Sequence, residues 1–232
     1  MTDLTNAIVL VTGANGGLGA EFVQQALDRG AAKVYATART PRTWDDERIV
    51  PLVLDVTDQA SVDAAARAAA DTTIVVNNAG IGGAEPLLET SVEDVERVFA
   101  TNVFGALRVA KAFAPTLRGG ALVDVHSVLS WIAFGGGYSA SKAAFWSLTN
   151  SLRLELAPQG TQVVGAHLGY TDTGMTADLD VEKADPAVIV GAIWDAVEAG
   201  EHEVLADQIS RDVRAGLSAP LEALYPQLAA AV

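Results

Sequence analysis

A phenol and an ammonium stand four residues apart in Tyr138-Ser139-Ala140-Ser141-Lys142, at the start of a stretch with helical periodicity. On a helix, positions i and i+4 share a face. A tyrosine with a free pKa of about 10 is a poor acid near neutrality until a nearby positive charge stabilises its phenolate, and Lys142 is placed to supply that charge. Such a pair can exchange a proton with a substrate oxygen. A lone match of this kind carries little weight, and its meaning depends on the elements that hold it.

Those elements alternate. Ala7 to Val11 is a continuous apolar run that suits a buried parallel strand, and it leads into Thr12-Gly13-Ala14-Asn15-Gly16-Gly17-Leu18-Gly19. Phe22, Val23, Ala26 and Leu27 then recur at helical spacing, with Gly30 closing the segment. Strand, glycine turn and helix bring backbone N–H groups and a helix N-terminus up to a pyrophosphate. Lys33 to Thr37 reads as the next strand. Its carboxyl end faces the adenine ribose in a doubly wound fold, where an acid binds the 2'-hydroxyl and an arginine suits a 2'-phosphate. This chain has Arg39 there, Arg42 nearby, and no acid before Asp45. NADP(H) is therefore expected over NAD(H), the competing reading being that Arg39 is a solvated surface charge.

Further strands are expected at Ile49 to Leu54, Thr73 to Val76, Ala121 to Val125 and Thr161 to His167, with a short edge strand at Glu203 to Leu205. Helices are expected from Asp58 to Ala70, as one or two segments between Val92 and Leu117, from Tyr138 to Leu156, and from Pro186 to Ala199. Residues 170 to 185 lack clear periodicity. The alternation predicts a single-domain α/β fold, a Rossmann-like doubly wound parallel sheet with helices on both faces. In such sheets ligands bind beyond the carboxyl ends of the strands, where the glycine turn, Arg39, Asp55, Asn77 to Gly80, Ser127 and Gly169 all fall.

Composition narrows the function. The 232 residues carry a net charge of -14, which repels phosphate backbones and anionic lipid surfaces. No nucleic-acid or membrane partner is expected. The chain has no cysteine, which rules out disulfides and thiolate metal sites. His126, His167 and His202 are scattered, so no metal is assigned. With neither a basic N-terminal region ahead of an apolar run nor an apolar run of about 18 residues, a cytoplasmic protein is expected.

Taken in order, Thr12-Gly13-x-x-x-Gly17-x-Gly19, Asp55, Asn77-Asn78-Ala79-Gly80, Asn102, Ser127, Tyr138-x-x-x-Lys142 and Gly169-Tyr170-Thr171-Asp172-Thr173 resemble a compact, single-domain short-chain dehydrogenase/reductase. The resemblance implies a nicotinamide-dependent oxidoreductase of carbonyls and alcohols, ketoreductase-like. It makes Tyr138 the acid/base and Lys142 the group that lowers the tyrosine pKa and binds the nicotinamide ribose. Ser127 would hydrogen-bond the substrate oxygen, and Asn102 would hold a water linking Lys142 to solvent. It further implies cofactor contacts from Gly13, Asn15, Gly17, Leu18, Gly19, Arg39, Asp55, Val56, Asn78, Ala79, Gly80, Tyr138, Lys142, Gly169, Thr171 and Thr173. For Asn102 a helix cap, and for Asp55 a strand exit and N-cap, stand as the plainer readings.

The chain departs from the family pattern in places. Ser127 precedes Tyr138 by eleven residues where the family usually has about thirteen, with Gly135-Gly136-Gly137 in the shortened connection. Leu168 stands where proline is common before Gly169, which predicts a less rigid turn. Met175, Leu179 and Val181, with Trp131, Ile132 and Phe134, are expected to form an apolar pocket for a small carbonyl or alcohol, apolar or aryl. The family's habit is a homodimer or homotetramer, and Phe145, Trp146 and Leu148 suit such an interface. The shortened connection motivates one alternative, a cofactor-binding sensor or scaffold that has kept the fold and lost turnover.

Overall fold

The computed structural model describes residues 2–83 and 85–231. Seven strands form one sheet: β1 (Ile8–Thr12), β2 (Lys33–Ala38), β3 (Ile49–Val53), β4 (Ile74–Asn77), β5 (Ala121–Val125), β6 (Gln162–His167) and β7 (Glu203–Leu205). Their order is β3-β2-β1-β4-β5-β6-β7, and every neighbouring pair is parallel. Every residue of β4, β5 and β6 is buried, which is why these strands read as continuous runs without alternation. Pro51 has no N–H to give a ladder and is tolerated because β3 is an edge strand.

The sheet's two faces divide the core. Val9, Val11, Val34, Val123 and Val164 pack with α1 (Gly17–Asp28) and α6 (Pro186–Ala199), where Phe22 meets Trp194 edge to face at 5.4 Å. Leu10, Tyr35, Val75, Leu122 and Val163, one residue out of phase, pack on the other side with α2 (Gln59–Ala68), α4 (Ala106–Phe113) and α5 (Gly136–Leu156). Period-two alternation along each strand thus explains the two helical layers.

The stretch between Val92 and Leu117 resolves into α3 (Val92–Phe99), a π-helical turn (Ala100–Gly105) and α4. Asn102 lies in that π turn, a feature often found at functional sites. Helix α5 begins two residues ahead of Tyr138, inside the glycine run that reads as loop in the sequence. A Cβ on Gly137 would lie 3.3 Å from Val95 Cγ2, so its bare backbone lets α5 start against α3. Beyond β7 the chain adds α7 (Gln208–Gly216) and a short helix at Leu221–Leu224, which the sequence reading left unassigned. Among the described residues no helix is long and apolar enough to cross a membrane.

Candidate active site

The order of the sheet reverses at β1, and the crevice lies beyond its carboxyl end, between the turns after β1 and β4. Gly13 and Gly17 adopt φ of +68° and +53°, conformations that a side chain disfavours. A Cβ on Gly19 would sit 2.1 Å from the Gly13 carbonyl oxygen, so the turn closes only without one. Thr12 ties the two turns together: its hydroxyl accepts from the N–H groups of Asn78 and Ala79, both at 3.0 Å, and donates to Val76. The Asn78 amide donates to the carbonyls of Thr12 and Gly13 at 2.9 and 3.2 Å, so its side chain shapes the glycine turn from behind. Helix α1 opens here with no acid in its first turn, leaving its positive end uncompensated by a neighbouring carboxylate.

Asn15 extends this cradle sideways. Its amide nitrogen donates to the Thr40 carbonyl at 2.8 Å and its oxygen accepts from the Arg42 N–H at 3.2 Å, which moors the loop after β2 to the glycine turn. Arg39 is exposed on that loop, and Arg42 stacks on Trp44 at 3.8 Å. Hydrogen bonds from Thr57 hold the Asp55 carboxyl below its usual range, with the Arg39 charge contributing. The Val56 side chain is buried, with Gly105 directly over it.

The residues expected to do acid-base work lie one strand over. Ser127 follows β5, where its hydroxyl accepts from the Leu129 N–H at 3.1 Å and caps the turn Val128–Ser130. That turn takes up the shortened connection and keeps Ser127 beside the Tyr138 phenol. Burial pushes the phenol up to about 12, with the Ser127 hydroxyl opposing the rise. Lys142 stands over the tyrosine ring. Its ammonium donates to the Val125 carbonyl at 2.8 Å and lies 5.7 Å from the tyrosine ring centre. Burial brings the lysine down to about 8, partly offset by the charge of Asp124.

Asn102 is buried with its amide committed to protein partners. It accepts from the Ile81 N–H at 2.9 Å and donates to the Ile81 carbonyl at 3.0 Å and to the Ser141 hydroxyl at 3.1 Å. Ser141 donates in turn to the Tyr138 carbonyl at 2.7 Å, and the Tyr138 N–H donates to Gly83 at 3.1 Å. Asn102 therefore braces the start of α5 against the loop after β4.

The loop after β6 folds over the crevice. The Thr173 methyl lies 3.2 Å from where a Cβ on Gly17 would stand, and Met175 Cγ lies 3.9 Å from that of Gly82. The Thr171 hydroxyl is buried without a hydrogen-bond partner among the described residues, a polar atom suited to a ligand. Where proline is common the chain has Leu168, and the turn is held instead from α7: the Gly169 N–H donates to the Asp207 carboxylate at 2.5 Å while Asp207 caps α7 through Ser210 at 2.7 Å. Phe134, Met175, Leu179 and Val181 are exposed apolar side chains, whereas Trp131 is spent elsewhere, stacked on His167 at 4.0 Å and edge-on to Trp146. Phe145, expected at a subunit interface, is buried against His126 in its own chain.

Three participants escaped the sequence reading: Asp207, Tyr225, whose hydroxyl accepts from the Ala133 N–H at 3.1 Å, and the buried Asp124. Asp124 and Asp207 do follow strands or sit within them, but nothing local marks the residues they reach.

The profile of the short chain dehydrogenase family matches residues 7–184. A short-chain dehydrogenase from Burkholderia cenocepacia, solved in complex with NADP, superposes with a TM-score of 0.91 at 35% identity, covering 98% of this chain and 99% of that one. An NADPH-dependent 1-acyldihydroxyacetone phosphate reductase of Schizosaccharomyces pombe is 36% identical over 71% of this chain, an alignment that spans 60% of the yeast protein. An uncharacterized oxidoreductase of Staphylococcus aureus is 31% identical over 87% of this chain and 95% of its own length. The chain is thus a member of the short-chain dehydrogenase family of NAD(P)-dependent oxidoreductases.

Proposed function

We propose that this protein reduces ketones or aldehydes to alcohols, reversibly, with NADP(H), and that Tyr138 is the acid/base. The observation that carries the reading is the meeting of Ser127, Tyr138 and Lys142 beside a glycine cradle that tolerates no side chain at Gly19. The bound nicotinamide would supply the hydride. Gly13, Gly17, Leu18 and Gly19 line the pyrophosphate turn, and Ala79 and Gly80, with Asn78 behind them, form the opposite wall. Thr171 and Thr173, with Gly169 below them, close the site from above.

A phenol held at about 12 is fully protonated at neutral pH, which suits it to donate. As the carbonyl carbon gains hydride, the Tyr138 O–H bond breaks and its proton passes to the developing alkoxide. Ser127 donates to the same oxygen and stabilises its charge. The Lys142 ammonium, a few ångströms from the ring, favours the phenolate left behind and provides the proton that restores it. Asn102 contributes by holding the loop and helix in register along this path.

Arg39, at the end of β2 and beside Asp55, supports the 2'-phosphate of NADP(H), as do the NADP complex of the Burkholderia relative and the NADPH dependence of the yeast one. Apolar Phe134, Met175, Leu179 and Val181 favour apolar or aryl substrates. A cleft of about 310 Å3 beside Gly137 is lined by Glu85, Glu89 and Asp94, with Arg97 paired to Asp94. We place the enzyme in the cytoplasm, as a homodimer or homotetramer.

The test is turnover on a panel of aryl and aliphatic ketones with NADPH and NADH in parallel. Faster reduction with NADPH on aryl ketones supports the reading. Cofactor binding without turnover on any carbonyl would replace it with the sensor reading.

A further inference from the structure

Among the described residues, Asp124 is the one buried acid and Lys142 the one buried lysine or arginine. They occupy neighbouring positions in the fold. Asp124 lies on the α5 face of β5, in phase with Leu122, and accepts from the Thr149 hydroxyl at 2.7 Å and the Asn77 amide at 2.9 Å. Lys142 donates to the carbonyl of the next residue, Val125, at 2.8 Å. Lys142 and Thr149 are seven residues apart on α5, two turns of one face, so a single helix face delivers the ammonium to residue 125 and a hydroxyl to residue 124.

We propose that Asp124 is a positioning residue of the proton path, the buried counter-charge that keeps Lys142 an ammonium in the working site. An ammonium has three hydrogens to place, and the one protein acceptor Lys142 has is a neutral carbonyl. Leaving water is costly for such a charge unless an opposite charge answers it. The surroundings offer no other. His126 and His167, the nearest titratable rings, are kept neutral by burial. Arg153, on the same helix, adds positive charge, and it is answered first by Glu203 and then by Asp124. Tyr138 is neutral. Asp124 is therefore the anion that Lys142 senses, and the two hydrogen bonds from Thr149 and Asn77 are what keep that carboxylate ionised against its own burial.

The proposal rests on Lys142 belonging to the proton path, and the experiment separates the two ideas. The chain has four lysines, Lys33, Lys111, Lys142 and Lys183, so the ε-carbon resonances of 13C-lysine protein can be followed against pH and Lys142 assigned by its loss in Lys142→Met. In Asp124→Asn the Lys142 midpoint should fall by about one unit or more, which at pH 8 lowers its ammonium fraction about fivefold. Reductive kcat should fall in the same proportion at pH 8 and recover toward pH 6, whereas a merely structural lesion lowers it at every pH.

An unchanged Lys142 midpoint in folded Asp124→Asn overturns the proposal. A lowered midpoint with a wild-type pH profile of kcat overturns its catalytic part, and loss of turnover in Tyr138→Phe would still stand apart from that result. If Asp124→Asn does not fold, reciprocity provides the same test from the other side: the Asp124 carboxyl must titrate at higher pH in Lys142→Met than in the wild type, and equal midpoints overturn the pairing.

Discussion

The Lys142 ammonium donates to the Val125 carbonyl at 2.8 Å and stands 5.7 Å from the centre of the Tyr138 ring. The lysine is thus anchored to the strand that ends in Ser127, and its effect on the phenol acts through space. Lys142 is bonded to that strand end and Ser127 acts on the Tyr138 phenol there, so the ten residues between Ser127 and Tyr138 still bring the three side chains together.

Burial costs both members of the Asp124–Lys142 pair. Folding raises the Asp124 pKa from 3.8 to about 6, so the folded state binds that proton more tightly, and stability from this group is lost as pH rises from about 4 through 6. Folding lowers the Lys142 pKa from 10.5 to about 8, so its cost is present in full below pH 8 and is relieved as pH rises toward 10.5. Both groups are charged and penalised at pH 7. The Asp124→Asn/Lys142→Met double variant should therefore be at least as stable as the wild type in urea at pH 7, whereas Lys142→Met alone, which leaves the acid unpaired, should be less stable than the double variant by about 2 kcal/mol. A double variant that unfolds at lower urea than either single variant would contradict this.

Arg39 has no salt-bridge partner within 4 Å among the described residues and stands on a loop moored by Asn15. Arg39→Ser should raise KM for NADPH about tenfold, a loss of roughly 1.4 kcal/mol, and leave KM for NADH within twofold. Steady-state kinetics with both cofactors checks it. Equal losses for both would show that Arg39 holds the loop and not the 2'-phosphate.

Gly19→Ala places a methyl 2.1 Å from the Gly13 carbonyl oxygen, which belongs to backbone that Asn78 also holds. The turn has to open. Cofactor affinity, followed by nucleotide fluorescence, should fall at least tenfold, and stability by about 2 kcal/mol.

These relationships differ in how far they were legible. Strands β1, β4, β5 and β6 and the glycine turn are written in contiguous residues, because a strand buried on both faces is a run of Val, Leu and Ile wherever it occurs. The Tyr138–Lys142 spacing is equally local. What stayed hidden depends on partners far along the chain: Gly169 on Asp207, Ala133 on Tyr225, Asp124 on Thr149. An aspartate inside a strand and a threonine inside a helix carry no signal of each other until the sheet and α5 are stacked. Gly135-Gly136-Gly137 misled for a related reason. Their lack of side chains reads as loop, yet Gly137 uses it for the close approach of Val95 and Gly135 for that of Leu129 and Ser139. Trp131 and Phe145 were ambiguous because an aromatic residue serves a pocket, an interface or the core with the same composition, and here stacking of Trp131 on His167 and the edge contact of Phe145 with His126 decide.

The central claim is that Tyr138 gives the proton. The most direct measurement compares wild type with Tyr138→Phe under saturating NADPH and an aryl ketone, recording turnover by cofactor absorbance and NADPH affinity by fluorescence on the same samples. Turnover should fall by at least about a hundredfold, since a positioned general acid contributes roughly 10²–10⁴ in rate, while NADPH affinity stays within about threefold. Turnover retained within tenfold of wild type, with the cofactor bound, would contradict the account.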